Sequence, residues 1–160
     1  MSQLALDAEL VEFLESGVAI LVGSCDRAAT PCCLHGVGLR ASAQSSEVQV
    51  YLLRALADRM LENFRDNPQI AVTFSRAADH RSLQLKGTVL SIDDTPEEER
   101  TVHERYMACY GASLLALGLP PQIAGGIAYW PSVRISFRVN ALFEQTPGPH
   151  AGSPLPASHA

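Results

Sequence analysis

The 160-residue sequence lacks the features that mark membrane, secreted and nucleic-acid-binding proteins. No apolar run reaches the roughly 20 residues that a helix needs to span a bilayer, so we expect no membrane association. Lysine and arginine number 12 against 17 aspartate and glutamate residues, and a basic surface for nucleic acid is therefore not expected. Residues 1–17 contain no lysine or arginine, which argues against a signal peptide.

Cysteine is scarce, and its four copies show no paired spacing. Cys32 and Cys33 are adjacent, which is poor geometry for a mutual disulfide. We therefore expect reduced thiols in a cytoplasmic protein, with a redox or metal role for this adjacent pair as the alternative. The histidines include no pair at spacing i, i+4, and no metal site is predicted.

Common catalytic motifs are absent as well. The chain has no Gly-x-Gly-x-x-Gly nucleotide loop, no phosphate loop ending in Gly-Lys-Ser, no His-Glu-x-x-His and no Gly-x-Ser-x-Gly. No acid, base or nucleophile demands a particular reaction, and we assign no catalytic residue from the sequence.

What the sequence does contain is a clear strand–helix–strand unit over residues 47–76. Val48, Val50 and Leu52 alternate with their neighbours, helix formers follow, and Pro68 excludes further helix. Arg59 stands at the start of this helix, where free backbone N–H groups favour anions. Arg59 is therefore a candidate anion ligand; the alternatives are a solvated side chain or a partner for Asp58.

The same alternation predicts further strands over residues 18–24, 31–42, 81–92 and 131–145, and helices over residues 4–16 and 95–117. Six antiparallel strands with few helices predict a mainly β (α+β) fold, a β-barrel with flanking helices. Residues 1–146 form one predicted domain. Residues 147–160 are rich in proline and glycine and form a tail whose end we expect to be disordered.

A dispersed set of polar residues suggests an anion site. Arg40 ends one strand and Arg59 opens a helix, and we expect both to converge on one dianion, since the guanidinium fork binds two phosphate oxygens at once. Gly36 and Gly38 interrupt the second strand, which is typical of a bulge or of close approach by a ligand. Strict alternation along this strand places His35, Val37 and Leu39 on one face and Gly36, Gly38 and Arg40 on the other.

Three stretches carry a family resemblance: VYLLRALADRMLENFRDNP, HGVGLR and RSLQLKG. In their order and wording they resemble the pyridoxamine 5'-phosphate oxidase-like, FMN-binding split-barrel family, over roughly residues 4–145. The resemblance implies a six-stranded split barrel that binds FMN at a homodimer interface. It also implies a set of cofactor-binding residues, namely His35, Gly36, Val37, Arg40, Tyr51, Leu52, Arg59, Ser82 and Gln84.

In this assignment the two arginines bind the FMN phosphate, and the three consecutive residues from His35 contact the flavin ring and the ribityl chain. Tyr51 and Leu52 line the same pocket. Ser82 or Gln84 reaches the site from the partner subunit.

The sequence also departs from the oxidase pattern. His35 stands where the oxidase has arginine, Ser82 stands where it has glutamine, and the substrate-binding Trp and Arg segment near the C-terminus has no counterpart. The resemblance therefore implies an FMN-dependent oxidoreductase with an unassigned substrate, not the oxidase itself. The alternative is a non-catalytic module that binds haem, a deazaflavin or a sensory flavin, with His35 as the haem candidate.

Overall fold

The computed structural model describes residues 4–156. Their helices and strands follow in the order α1 (Ala8–Leu14), β1 (Ala19–Cys25), β2 (Pro31–Ala41), β3 (Glu47–Leu53), α2 (Asp58–Asp66), β4 (Gln69–Ser75), β5 (Ser82–Asp94), α3 (Arg100–Ala116), α4 (Pro121–Gly125), β6 (Ser132–Glu144) and β7 (Pro154–Leu155).

Six of the strands close into a barrel, because β3 pairs with β2 on one side and with β6 on the other. The order around the barrel is β3, β2, β1, β4, β5 and β6, with every pairing antiparallel. Ile20, Val50, Phe74 and Phe137 point into the interior and are fully buried. The predicted six-stranded barrel with flanking helices is confirmed, since alternate strand positions face the core as their spacing required.

Two helices begin later than their sequences suggested. A 3-10 turn over Arg54–Leu56 precedes α2, and another over Glu97–Glu99 precedes α3. Thr95, the first residue of the predicted helix, lies before α3, and its hydroxyl oxygen is 2.8 Å from that of Ser132 in β6. Local sequence cannot reveal this contact with a distant strand.

The glycines of β2 do mark a bulge. Gly36 pairs with Leu52 and Gly38 pairs with Tyr51, so Val37 is an extra residue without a partner in β3. An extra residue changes the side to which the following side chains point.

That change corrects our face assignment for β2. Leu39 points into the barrel and belongs to its core, although strict alternation placed it with His35. A Cβ atom on Gly38 would lie 3.0 Å from Nδ1 of His103, a residue of α3 outside the barrel. Arg40, two positions after Gly38, therefore points outward together with His35.

Part of the predicted tail adds to the sheet. Leu155 pairs with Leu142 and Pro154 pairs with Phe143. Strand β7 therefore lies beside the part of β6 that β3 leaves unpaired. The predicted disorder at the end of the tail falls on residues 157–160, which lie outside the described residues.

Across residues 4–156, no helix is long and apolar enough to cross a bilayer. The same residues contain no group of three or more His, Cys, Asp or Glu side chains arranged to hold a metal ion. All four cysteines are free thiols.

Candidate functional site

The outer surface of the barrel divides into a covered side and an open side. Helix α3 packs over β2 and buries His103 and Tyr106. The outward residues of β1 and β4, with the adjoining parts of β2 and β5, remain accessible; we term this surface the open sheet face. One row of cross-strand partners on it joins His35, Leu21, Thr73 and Gln84. Two of the predicted cofactor residues, His35 and Gln84, therefore share a face.

The next row of the open sheet face forms the floor and wall of a groove of about 380 Å³. Its cross-strand partners are Cys33, Gly23, Ala71 and Lys86. Glycine and alanine leave the floor low, and a larger side chain at either position would fill it. The groove is lined mainly by apolar surface, with Lys86 at one end of the row, and its small-residue floor makes a shallow site for a flat ligand.

Lys86, the only lysine of the chain, supplies the positive charge of this groove. Its Nζ atom lies 4.6 Å from the centroid of the Phe143 ring. It forms no ion pair with any residue between 4 and 156, whereas most arginines of the chain do. The lysine is thus the cation in the groove that remains available to an anion.

Arg59 lies at the end of the groove where β1 turns into β2. Its Nη2 atom donates to Oδ2 of Asp26 at 2.9 Å, and Asp26 directly follows Cys25, which lines the groove. Hydrogen bonds from Thr30 hold the pKa of the Asp26 carboxyl below its usual range, and the Arg59 charge acts in the same direction. Asp58, the partner considered from the sequence, pairs with Arg54 instead.

The expected convergence of Arg40 and Arg59 is wrong within one chain. Arg59 contacts the turn that precedes β2, while Arg40 lies near the last residue of that strand and pairs with Glu99 at 3.4 Å. Extended chain rises about 3.3 Å per residue, so β2 separates the two positions by roughly its whole length. A common phosphate ion cannot bridge them.

The predicted pocket roles of Tyr51 and Leu52 stay predictions, and within one chain both side chains are buried. Leu52 points into the barrel core, and Tyr51 is fully buried beneath α3. Burial and the hydrogen bond that Tyr51 donates to Glu99, at 2.9 Å, raise the pKa of the phenol. Neither side chain reaches the open sheet face.

Ser82 and Gln84 differ in their availability. Ser82 is buried, with its Oγ atom 2.8 Å from that of Ser75 and donating to the His80 carbonyl at 2.9 Å. Gln84 is half-buried on the open sheet face, where its Nε2 atom donates to Thr73 Oγ1 at 2.9 Å. Their contribution to a partner subunit's site stays a prediction, and Gln84 is the better placed of the two.

A cluster around Glu99 holds the start of α3 against the barrel. Its carboxylate accepts hydrogen bonds from Tyr51 and, at 2.7 Å, from Nη1 of Arg134. Only 14% of the Glu99 side chain is exposed, whereas Glu97 and Glu98 are exposed. No local pattern distinguishes Glu99 from its exposed neighbours, because its partners come from β2, β3 and β6.

His103 is the buried titratable group of this covered side. Nδ1 lies 2.9 Å from the Val37 carbonyl oxygen, and Nε2 lies 2.9 Å from the Ser132 hydroxyl. A carbonyl oxygen only accepts, so the neutral imidazole carries its proton on Nδ1. Burial lowers the pKa of His103 and favours this neutral form.

We expect this histidine to make the protein less stable in mild acid. The folded-state pKa lies below the unfolded-state value of about 6.5, so the unfolded chain binds more protons near and below that pH. The stabilisation is fully present above pH ~6.5 and is lost as the pH falls through the folded-state pKa. Urea unfolding at several pH values from above pH ~6.5 down through the folded-state pKa measures this loss of stability. The fluorescence of Trp130, the only tryptophan, reports the unfolding.

The His103→Gln variant is the control for that measurement. It keeps a polar side chain against Val37 and Ser132 but cannot titrate, so its stability should vary less with pH than that of the unchanged protein. Equal pH profiles for the two proteins would show that other groups cause the dependence.

Comparison with solved structures places this architecture among known proteins. A putative pyridoxamine 5'-phosphate oxidase from Lactobacillus delbrueckii superposes with a TM-score of 0.54 at 12% identity, over 89% of this chain and 99% of that one. An F420 reductase gives 0.53 at 17% identity, over 82% and 93%. An FMN-binding protein from Syntrophomonas wolfei gives 0.50 at 12% identity, over 86% of each chain.

The chain has the split-barrel fold. The fold expected from the sequence resemblance is thereby confirmed, over nearly the whole length of each of these structures. No protein-family model and no curated protein matches the sequence. At these identities the likeness concerns the fold, and the ligand of this split barrel has to be argued from its own residues.

Proposed function

We propose that this split barrel is an FMN-binding oxidoreductase whose cofactor lies on the open sheet face. One observation carries the proposal: the open sheet face contains a groove with a glycine and alanine floor and an available lysine, Lys86. A flat ring requires a low floor, and a phosphate monoester requires a cation without a competing carboxylate. Structures of the same fold include an FMN-binding protein and a putative pyridoxamine 5'-phosphate oxidase.

The residues present fit FMN in three respects. Lys86 would bind the phosphate, with Arg59 as a second cation once its contact with Asp26 is exchanged for a phosphate oxygen. Gly23 and Ala71 would lie under the flat part of the cofactor. His35 and Gln84, in the adjoining row, supply hydrogen-bonding groups for the polar edge of a flavin ring.

Dimerisation through the open sheet face accompanies this proposal. The outward positions of β1 and β4 include Leu21, Gly23, Ala71 and Thr73, and none of these is charged. Leu21 is 38% exposed although it lies in the middle of a strand. An uncharged sheet face without a covering helix is typical of a subunit interface. A second copy of the chain would also bury the groove and shield the cofactor from water.

The cofactor would supply the electron transfer, as flavins do in other proteins. The chain's own residues bind and orient it: the lysine neutralises the phosphate, the floor positions the ring, and Gln84 and His35 offer hydrogen bonds. Reduced nicotinamide is the electron donor class that we propose first. The structure contains no side chain that must act as acid or base, so we assign no catalytic residue.

A flavin titration of the purified protein tests the proposal. Binding should quench FMN fluorescence with a stoichiometry of one per chain, and the protein should elute at twice the mass of 17.2 kDa. Reduced nicotinamide should then bleach the flavin absorbance. Absence of quenching at any FMN concentration tested would refute the cofactor assignment, and a monomer that still binds FMN would refute only the interface.

A cofactor-binding module without catalysis is the second candidate. His35 favours it, because the imidazole is exposed on the open sheet face and makes no hydrogen bond among the residues that the structure describes. Haem added to the protein should then give a Soret band that is lost in His35→Ala. A deazaflavin is the other ligand of this candidate, in view of the F420 reductase of the same fold, and F420 in place of FMN in the titration tests it.

A further inference from the structure

A second cavity lies between α3 and β2, on the covered side of the barrel. It has a volume of about 260 Å³ and is separate from the groove on the open sheet face. Its lining residues come from β2, α3 and the segment after α4 and are His35, Gly36, Val37, Tyr106, Met107, Tyr110 and Ile127.

The walls of this cavity are apolar and aromatic. The rings of Tyr106 and Tyr110 are nearly parallel, at 9° with their centroids 5.7 Å apart, and present a flat surface. The Tyr106 hydroxyl already donates to the Val18 carbonyl at 3.0 Å, so its proton does not need a hydrogen-bond acceptor on the ligand. Among residues 4–156, no Asp, Glu, Lys or Arg lines the cavity, so a charged ligand would lose its hydration there without gaining a charged partner.

The cavity is large enough for a small ring, since an apolar cavity of about 150 Å³ in another protein binds benzene. Such a cavity offers water few hydrogen-bond partners and is therefore better filled by an apolar molecule.

His35 connects this cavity to the open sheet face. It lines the cavity and at the same time pairs with Leu21 in the row beside the groove. Its imidazole is exposed and can donate a hydrogen bond to a carbonyl oxygen of an incoming ring. The Tyr110 hydroxyl is a second donor that lines the cavity.

We propose that this cavity binds the substrate and that the substrate is a quinone, an uncharged, flat ring with carbonyl oxygens; two electrons and two protons would pass from reduced FMN to it, giving oxidised FMN and the hydroquinone. The ring occupies the space between Val37, Met107 and the stacked tyrosines, and its carbonyl oxygen lies against His35. The role as substrate rests on the proposed function, whereas binding of the ring does not depend on FMN.

Calorimetric titration of the FMN-free protein with duroquinone tests the cavity. The four methyl groups of this ring hinder its addition to the free thiols of the chain, so that binding is read without covalent labelling. We expect one molecule bound per chain. In Met107→Trp, a larger rigid ring occupies the cavity and binding should weaken at least tenfold, whereas the control Leu115→Trp, at an exposed position of the same helix, should bind as the unchanged protein does.

Ile127→Ala is a second variant that tests the cavity even if Met107→Trp misfolds. It is expected to fold, because Ile127 lies in the segment after α4 and outside the barrel core. Loss of its apolar contacts should weaken duroquinone binding about tenfold, with unchanged circular dichroism. Equal affinity in Ile127→Ala, Met107→Trp and the unchanged protein would overturn the proposal, as would absence of any binding.

The flavin titration separates this inference from the proposed function. FMN binding without duroquinone binding would overturn the cavity proposal alone. Duroquinone binding without FMN binding would retain the cavity as a ring-binding site and overturn its role in a flavin-dependent reaction.

Discussion

Replacing Lys86 with methionine is expected to weaken FMN binding by about ten- to a hundredfold, which is the loss that follows from removing one charge-assisted hydrogen bond. Methionine has nearly the length and apolar character of the lysine stem, but it removes the ammonium group over the Phe143 ring together with the charge. Quenching of FMN fluorescence at several salt concentrations measures both the affinity and its electrostatic part. The salt dependence should become shallower in the variant.

Arg40→Met is the matched control for Lys86→Met. It removes the same charge from the far end of β2, where Arg40 pairs with Glu99, and we expect FMN affinity to stay within about twofold of the original value. A large loss in Arg40→Met together with an unchanged Lys86→Met would show that the phosphate lies at the end of β2 and that the groove is not the cofactor site.

Gly87→Ala is expected to lower the free energy of unfolding by about 3 kcal/mol, at the upper end of the range for overpacked cores. Gly87 lies at a register shift between β5 and β6. An added Cβ atom would overlap the Arg138 carbonyl oxygen and lie 2.7 Å from Cδ2 of Phe137. The overlap is with backbone, which cannot rotate away, so the two strands must separate.

Gly125→Ala provides the comparison. A Cβ atom at Gly125, in α4, meets no atom within 4 Å. The free energy of unfolding of the variant should therefore equal that of the unchanged protein or be slightly higher. Urea unfolding followed by the fluorescence of Trp130 reports both variants. If Gly87→Ala unfolds at the same urea concentration as Gly125→Ala, the two strands are less closely packed than the structure shows.

The outward surface of β2 shows how far sequence reasoning extends to the site. The glycines predicted a bulge, and the bulge is present between Gly36 and Gly38. Its consequence for Leu39 and Arg40 could not be predicted, because one extra residue reverses every later side chain and the sequence does not state where the extra residue falls.

For the arginine pair, the sequence indicated a suitable residue type but not its position. Arginine is appropriate for binding a phosphate, yet Arg40 and Arg59 lie near opposite ends of β2. Lys86, which no sequence motif singled out, became a candidate because Ala71 and Gly23 lie beside it in the same row. The proposal of FMN therefore rests on the groove of the open sheet face and no longer on two converging guanidinium groups.

By itself, the sequence determined six strands, their inward faces outside the bulged part of β2, and the class of fold, because alternation of apolar residues is a property of neighbours along the chain. Only the tertiary structure decided which polar residues share a row of the sheet, as His35 does with Gln84 and Cys33 with Lys86. It also decided which are in contact, as Glu99 is with Tyr51 and Arg134. Those relations depend on strand register, on one bulge and on where α3 docks. Contacts between distant segments set these, and no local pattern encodes them.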